Sequence, residues 1–339
     1  MSENALKLCL AKLAGGTQLE SGELSAFFDA ILDAIATPAQ IGSFLMGLER
    51  IGLNREALMA GARAMRAQMV RVDIGFPTID VCGTGGDGSH SLNISTATSF
   101  VLAGGGIKIA KHGNRSMSSL CGAADVLEEL GVKLSADAGI YKKSLEDANI
   151  AFFFAPSHHP KLAYVGPIRR ELGFGTIFNL LGPMCNPTGA SKQLMGLYRR
   201  ELLVTMAESL QGLGSQSAWV VHGANGFDEA VLHGETEVVE LKAGNIRQFT
   251  ISPQDAGLTF SPIEALKGGD AVYNAAAMLE VFKGEQSAYR DAVVLNAACA
   301  LVMADYADNL KMGAEIAAAS IDTGCAMQAL ETLKAITIS

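Results

Sequence analysis

The sequence predicts an α/β protein: a small all-helical domain, then a larger α/β domain with a central, mostly parallel sheet flanked by helices. Three observations predict it. Residues 1 to about 70 carry only helical apolar spacing. From Ile79 short apolar runs alternate with helical stretches, the pattern that builds a parallel sheet. Beyond Gly257 the spacing is helical again, which places the tail helices on that sheet. The expected division is 1–70 for the helical domain, with a later contribution from about 165–190, and 71–339 for the α/β domain.

In the first domain Leu6, Leu8, Leu10 and Leu13 form an apolar cluster closed by Gly15-Gly16. Residues 21–36 are amphipathic through Leu24, Phe27, Phe28, Ile31 and Leu32. Thr37-Pro38-Ala39-Gln40 is a helix start, because Thr caps, Pro suits the first turn and Gln reaches back to the cap. Ile41, Phe44, Leu45 and Leu48 continue it as one stripe, and Asn54 opens a further helix to about Met69. Met59, Met65 and Met69 read as core. So small a helical unit is marginal alone and packs on something larger or on a second copy. In the second domain the expected strands are 79–82, 107–111, 151–155, 218–222 and 236–241. The expected helices are 94–103, 124–130, 136–148 and 201–213, then 271–283, 288–307 and 314–335.

The 339 residues are 49% hydrophobic, enough for a substantial core, and only 6% aromatic. A net charge of −9 argues against non-specific nucleic-acid binding, which needs a basic footprint. A local basic segment, Lys108 to Arg115, survives within that acidic balance. The six cysteines, Cys9, Cys82, Cys121, Cys185, Cys299 and Cys325, show neither metal-ligand spacing nor a disulfide framework. Reduced thiols, a polar start at Met1-Ser2-Glu3-Asn4 and no apolar stretch of membrane-spanning length lead to the expectation of a cytoplasmic protein without membrane association.

The chemistry concentrates between Val81 and Asp125. Gly83-Thr84-Gly85-Gly86-Asp87-Gly88 follows a strand, and its bare backbone lets N–H groups approach a phosphate. It matches neither the Walker A loop nor a dinucleotide fingerprint. A helix starting near Asn93 and Ser95 adds a positive N-terminal end, and Lys111 to Ser116 adds cations and hydroxyls. Arg169-Arg170-Glu171, followed by an apolar run ending at Gly182-Pro183, reads either as a surface helix with a packed turn or as an arginine aimed at an anion. Asp228-Glu229 follows a strand, and reads either as a solvated acidic turn or as oxygen ligands for Mg²⁺. His222 is assigned no role, His158-His159-Pro160 has the wrong spacing for a zinc protease motif, and Cys82 and Cys121 read as small packing residues. No nucleophile–base arrangement stands out.

These stretches together resemble the anthranilate phosphoribosyltransferases. The matching segments are Gly83-Thr84-Gly85-Gly86-Asp87, Asn93-Ile94-Ser95-Thr96, Lys111 to Ser116, Ala124-Asp125-Val126-Leu127, Phe154-Ala155-Pro156 with His159-Pro160, Arg169 to Gly173, Thr176 to Pro183 with Asn186-Pro187, Val221-His222-Gly223 and Asp228-Glu229. The resemblance implies transfer of a 5-phosphoribosyl group from phosphoribosyl pyrophosphate to the amino group of anthranilate, with Mg²⁺ as cofactor. It implies a donor site of Gly83, Gly86, Asp87, Ser91, Asn93, Ile94, Ser95, Thr96, Lys111, His112, Gly113, Asn114, Arg115, Ser116, Met117, Ser118, Ser119 and Ala123. Gly83, Asn114 and Arg169 would meet anthranilate, and Ser95, Asp228 and Glu229 the metal. It implies a homodimer through the N-terminal helices. The chain departs from the family pattern at Leu120, where Lys is usual, and at Gly175, where Arg is usual; the second change removes a charge and loosens the turn before Thr176. Two other readings stand beside it: a pyrimidine-nucleoside phosphorylase-like enzyme, which the Asp228-Glu229 and Arg169 contexts disfavour, and a non-catalytic nucleic-acid-binding relative, which the net charge, Asp228-Glu229 and Asn114 disfavour.

Overall fold

The computed structural model describes residues 3–116 and 120–338. Met117, Ser118 and Ser119, expected at the donor, lie outside the described residues. The N-terminal segment forms α1 (Glu3–Ala14), α2 (Ser21–Leu32), α3 (Pro38–Ile51) and α4 (Arg55–Gln68). Thr37 starts α3 as the sequence requires. Its hydroxyl accepts the Gln40 N–H at 3.3 Å, and the Gln40 side chain accepts the Thr37 N–H at 2.9 Å. Two N–H groups that a helix leaves unpaired are thereby satisfied. Asn54 caps α4 through the Ala57 N–H. Helix α2 stops short of Ala36 because Ala34 takes φ +55° and the next two N–H groups fold back onto the Ala30 carbonyl.

These helices do not close a core alone. Phe27 stacks on Phe44 at 4.0 Å, and Phe28 meets both Phe44 and Phe178 edge-on. The same cluster takes in Val165, Ile177, Leu181, Met206 and Leu210 from far along the chain. The helical unit therefore borrows part of its core, which is how a segment this small becomes stable.

The remainder runs β1 (Ile79–Gly83), α5 (Ile94–Gly104), β2 (Ile109–Gly113), α6 (Ala123–Glu129), α7 (Ala138–Asp147), β3 (Ile150–Phe154), α8 (Ala155–His158), α9 (Val165–Leu172) and α10 (Ile177–Leu181). Then come β4 (Lys192–Gly196), α11 (Leu203–Gly212), β5 (Ser217–Gly223), β6 (Thr236–Lys242), β7 (Asn245–Ile251), α12 (Ala271–Phe282), α13 (Ala288–Met303), α14 (Leu310–Asp322) and α15 (Cys325–Ile338). The seven strands lie in the order β3-β2-β1-β4-β5-β6-β7. The first five are parallel, and β6 and β7 continue antiparallel. The expected fold class is borne out. Alternate residues of each strand feed opposite faces: Val81, Leu194, Trp219 and Val221 join the core under α5 and α13, while Cys82, Met195, Ala218 and Val220 join the core shared with the helical unit.

Two strands escape the sequence reading. In β4 the polar Lys192 and Gln193 mask the pattern, although the Gln193 amide donates to the Pro183 carbonyl at 2.8 Å and the Lys192 ammonium to that of Ala304 at 2.9 Å. In β7 the sequence Asn-Ile-Arg-Gln-Phe-Thr-Ile is largely exposed, as an edge strand is. The single helix expected over 314–335 is two, α14 and α15, because Gly324 turns the backbone at φ +77°. Helix α11 is preceded by a tighter 3₁₀ turn at Arg200–Leu202.

Candidate active site

Strands β1, β2, β4 and β5 each end on glycine: Gly83, Gly113, Gly196 and Gly223. The chain order reverses between β1 and β4, and a crevice opens beyond the carboxyl ends of strands at such a point. The loop after β5 folds back across it. A Cβ on Gly196 would lie 1.5 Å from the Asp228 carbonyl oxygen, and one on Gly83 2.3 Å from Asp228 Oδ2. Only glycine admits the loop there. Asn296 of α13 fixes it from below, accepting the Ala230 N–H at 3.0 Å and donating to the Ala230 carbonyl at 2.8 Å.

Asp228 and Glu229 are in consequence 9% and 8% exposed, which rules out a solvated turn. Asp228 Oδ2 accepts the Gly85 N–H at 2.6 Å, tying the acidic loop to the glycine loop. Burial raises the Asp228 carboxyl well above the ordinary carboxylate range, repulsion from Asp87 adds to it, and the Gly85 N–H opposes it. Glu229 is raised for the same first reason and by Asp228, with Lys111 partly offsetting. Asp87 Oδ1 accepts the Ser89 N–H at 3.1 Å, while its Oδ2 is buried and has no hydrogen-bond partner among the described residues.

Lys111 is buried and reaches across β1, donating to the Val81 carbonyl at 2.7 Å and the Ser95 hydroxyl at 3.3 Å. Burial lowers its pKa, and Asp80 and Glu229 work against that. His112 is buried too, which pushes its pKa down to about 3, with His159 and His158 adding to the effect, so its imidazole is neutral. Its Nε2 lacks a partner among the described residues. Arg115 pairs with Asp125 at 3.0 Å and with both oxygens of Glu128. Asp125 also accepts the N–H groups of Ser116 and Gly122. Burial would raise the Asp125 carboxyl, but those N–H groups and Arg115 hold it below its ordinary value.

On the side of the cavity formed by the later helices, Arg169 lies in the last turn of α9. Its Nη2 donates to Asn179 Oδ1 at 3.0 Å, and its guanidinium lies 5.8 Å from the Phe178 ring. No carboxylate pairs with it among the described residues, and burial lowers its pKa. In the turn after α9 the Tyr198 hydroxyl stands 2.8 Å from where a Cβ on Gly175 would be. Leu120 is 66% exposed.

All the described residues that sequence reading assigned to donor, acceptor or metal line one cavity of about 330 Å³. Met65, Leu162, Ala155, Phe178 and Pro183 supply an apolar wall that sequence reading missed. Met65 carried only a core signal, because a residue facing a cavity from a helix has the same period as one facing a core. Gly196 was missed with its strand, and Asn296 sits unremarked in an apolar helix. His222, to which the sequence assigns no role, is bonded to the Leu197 carbonyl, and His158 to that of Val70.

A parallel sheet ending in glycines under buried carboxylates, with a helical bundle leaning over the cavity, belongs here to a chain that matches the glycosyl transferase family. The chain matches the glycosyl transferase family helical bundle domain over residues 7–69 and the glycosyl transferase family a/b domain over residues 75–327. It is 48% identical to the anthranilate phosphoribosyltransferase of Phenylobacterium zucineum across 98% of this chain and 99% of that one. It superposes on the anthranilate phosphoribosyltransferase of Thermus thermophilus with TM-score 0.91 and 38% identity, covering 98% and 99% of the two chains. The Saccharomyces cerevisiae enzyme, solved in complex with PRPP and Mg, matches with TM-score 0.90 and 28% identity over 99% of each chain. The same yeast enzyme has been solved with 4-fluoroanthranilate, with TM-score 0.90 and 27% identity over 99% of each chain. The chain belongs to the anthranilate phosphoribosyltransferase family.

Proposed function

We propose that this protein transfers the 5-phosphoribosyl group of phosphoribosyl pyrophosphate to the amino group of anthranilate, releasing pyrophosphate, as a step of tryptophan biosynthesis. The observation that carries the reading is one cavity holding both a buried carboxylate cluster with Lys111 and a desolvated arginine, Arg169, without a carboxylate partner among the described residues. The first suits a metal-bound polyphosphate and the second a small carboxylate. Neither alternative needs both.

The residues present fit Mg²⁺. Asp228 and Glu229 offer hard carboxylate oxygens, and beside them the buried Asp87 Oδ2 lacks a hydrogen-bond partner among the described residues. Asp228 and Glu229, with the Ser95 hydroxyl, would hold the ion. When bound, it supplies positive charge to the leaving pyrophosphate. The chain's own residues do the rest. The glycine loop and the N-terminus of α5 present N–H groups to the sugar phosphate, and Lys111 holds Ser95 in place. An aromatic amine is neutral at physiological pH and needs no strong base, so positioning and charge stabilisation suffice. Arg169 and Asn114 with Gly83 orient anthranilate. A fall in anthranilate fluorescence on adding donor and Mg²⁺ tests the reading; unchanged fluorescence with active donor defeats it.

Gly83→Ala tests the acidic loop separately. A methyl there displaces Asp228, so Mg²⁺ affinity measured by calorimetry is expected to fall about tenfold, as it does when the support of a ligand is lost. The 1–70 and 71–339 division, a cytoplasmic location and a homodimer through the N-terminal helices belong to the same proposal. Leu8 on α1 and Met46 on α3, exposed on two helices in contact, support the dimer, and sedimentation velocity measures it.

A further inference from the structure

We propose that Asn274, outside the cavity, is a positioning residue for the phosphoribosyl donor, fixing through two amides in series which end of the Asn93 side chain is a donor and which an acceptor. The inference rests on the functional reading above, which places Asn93 at the donor.

Asn274 sits on α12, is 1% exposed and does not line the cavity. Its Oδ1 accepts the Gly269 N–H at 2.8 Å, and its Nδ2 donates to Asn93 Oδ1 at 2.9 Å. Asn93 Nδ2 in turn donates to the Cys121 carbonyl at 3.3 Å. The two ends of an asparagine amide have nearly the same shape, so its hydrogen-bonding neighbours decide which way round it sits. Here both ends of the chain are backbone groups of fixed polarity. Gly269 N–H can only donate, and the Cys121 carbonyl can only accept. The two amides between them therefore have one consistent direction, and reversing either places like groups face to face. Asn93 is left presenting its NH₂ end on the Cys121 side, with one proton beyond the bond to Cys121. A donor at that point suits an anionic ligand and an acceptor does not.

The segment just before α12 holds the backbone around Asn93. The Leu92 N–H bonds the Leu266 carbonyl at 2.9 Å, and the Gly268 N–H bonds that of His90 at 2.8 Å. A Cβ on Gly268 would lie 2.6 Å from the Ser91 carbonyl oxygen, so this approach requires glycine. Tyr289 of α13, buried, donates to the Asn93 carbonyl at 3.1 Å. The Asn93 carbonyl is thus held by Tyr289 apart from the amide chain, while Asn274 reaches the Asn93 side chain and, through the Gly269 N–H, the segment that pairs with residues 90 and 92.

Asn274→Leu removes the amide at nearly constant volume. Asn274→Asp keeps the acceptor for Gly269 but obliges Asn93 to turn its NH₂ end towards residue 274 and its oxygen towards Cys121. Steady-state kinetics with each substrate varied, beside thermal melts, test the proposal. Both variants are expected to raise the KM for phosphoribosyl pyrophosphate about fivefold or more, with the KM for anthranilate within about twofold. Asp is expected to melt higher than Leu yet bind the donor worse, an inversion that a purely structural role does not produce. Tyr289→Phe, which leaves the amide direction intact, is expected to move the donor KM less than about twofold. An unchanged donor KM in Asn274→Leu reduces the Asp effect to added charge and overturns the proposal. So does a rise in both KM values together, or an equal rise in Tyr289→Phe. If Leu fails to fold, the neutral Asn274→Ala set against Tyr289→Phe decides in its place. Wild-type protein without turnover would instead defeat the functional reading and leave calorimetric binding of the donor with Mg²⁺ as the measure of Asn274.

Discussion

Replacing Asp228 by Asn together with Glu229 by Gln should lower turnover at saturating substrates by roughly a thousandfold, from loss of metal-borne charge at the leaving pyrophosphate. The amides keep the volume, and the one at position 228 would still offer an oxygen to the Gly85 N–H, so the loop has no steric reason to move. The sign of a second effect follows from burial. Both carboxyls are raised in the folded chain, first by desolvation and then by repulsion from neighbouring carboxylates. They hold protons where unfolded carboxyls, with values near about 4, have lost them. The metal-free protein therefore loses stability as pH rises above about 4 until the raised carboxyls ionise. Mg²⁺ must displace those protons, so its affinity rises from about pH 6 to about pH 8 and binding releases protons. The double variant should show neither dependence. Calorimetry in buffers of different ionisation enthalpy measures the release, and the anthranilate fluorescence assay measures the rate. Wild-type turnover in the double variant would remove the pair from the mechanism.

What made the site legible was its dependence on local chemistry. Gly83 to Asp87 had to be glycine-rich because the backbone turns tightly there, with Gly85 at φ +66° and Gly86 at φ +87°. Lys111 announces itself as a charge inside an apolar run. The capping box at Thr37 and the N-cap at Asn54 are likewise written within a few residues. What stayed hidden was long-range. Gly196 is a strand end like any other until Asp228, far along the chain, folds across it. Asn296 and Asn274 are buried amides in largely apolar helices, and only the fold shows that one clamps Ala230 and the other Asn93. Strand β4 was lost because a polar pair at its start finds partners, the Pro183 and Ala304 carbonyls, that no local pattern reveals. The family resemblance named much of the polar side of the cavity residue by residue. It could not say that Arg115 is already paired with Asp125 and Glu128, or that Gly175 is the space a tyrosine hydroxyl fills.

Arg169→Gln should raise the KM for anthranilate by about a hundredfold, and Arg169→Lys by about tenfold, with the KM for the donor within about twofold. The effect begins with what holds the guanidinium. Asn179 Oδ1 accepts both the Thr176 N–H and Arg169 Nη2, each at 3.0 Å, so the start of α10 fixes the arginine's fork. The Phe178 ring lies against the cation. Burial withdraws water from the group, and no carboxylate among the described residues replaces it. An arginine in that state retains its charge and has N–H groups left over for a planar anion. A carboxylate on an aromatic ring would satisfy them two at a time, and Met65, Phe178 and Pro183 line the same cavity as apolar surface for the ring. Lysine restores charge but only as a point, so it recovers part of the binding and none of the fork geometry. Glutamine restores neither. An interaction made with the bound acceptor and kept through the reaction would be lost from KM more than from kcat. Asn179→Ala leaves Arg169 in place but frees its fork. It should raise the anthranilate KM by less than Arg169→Gln, and a larger rise would show that Asn179 itself meets the acceptor.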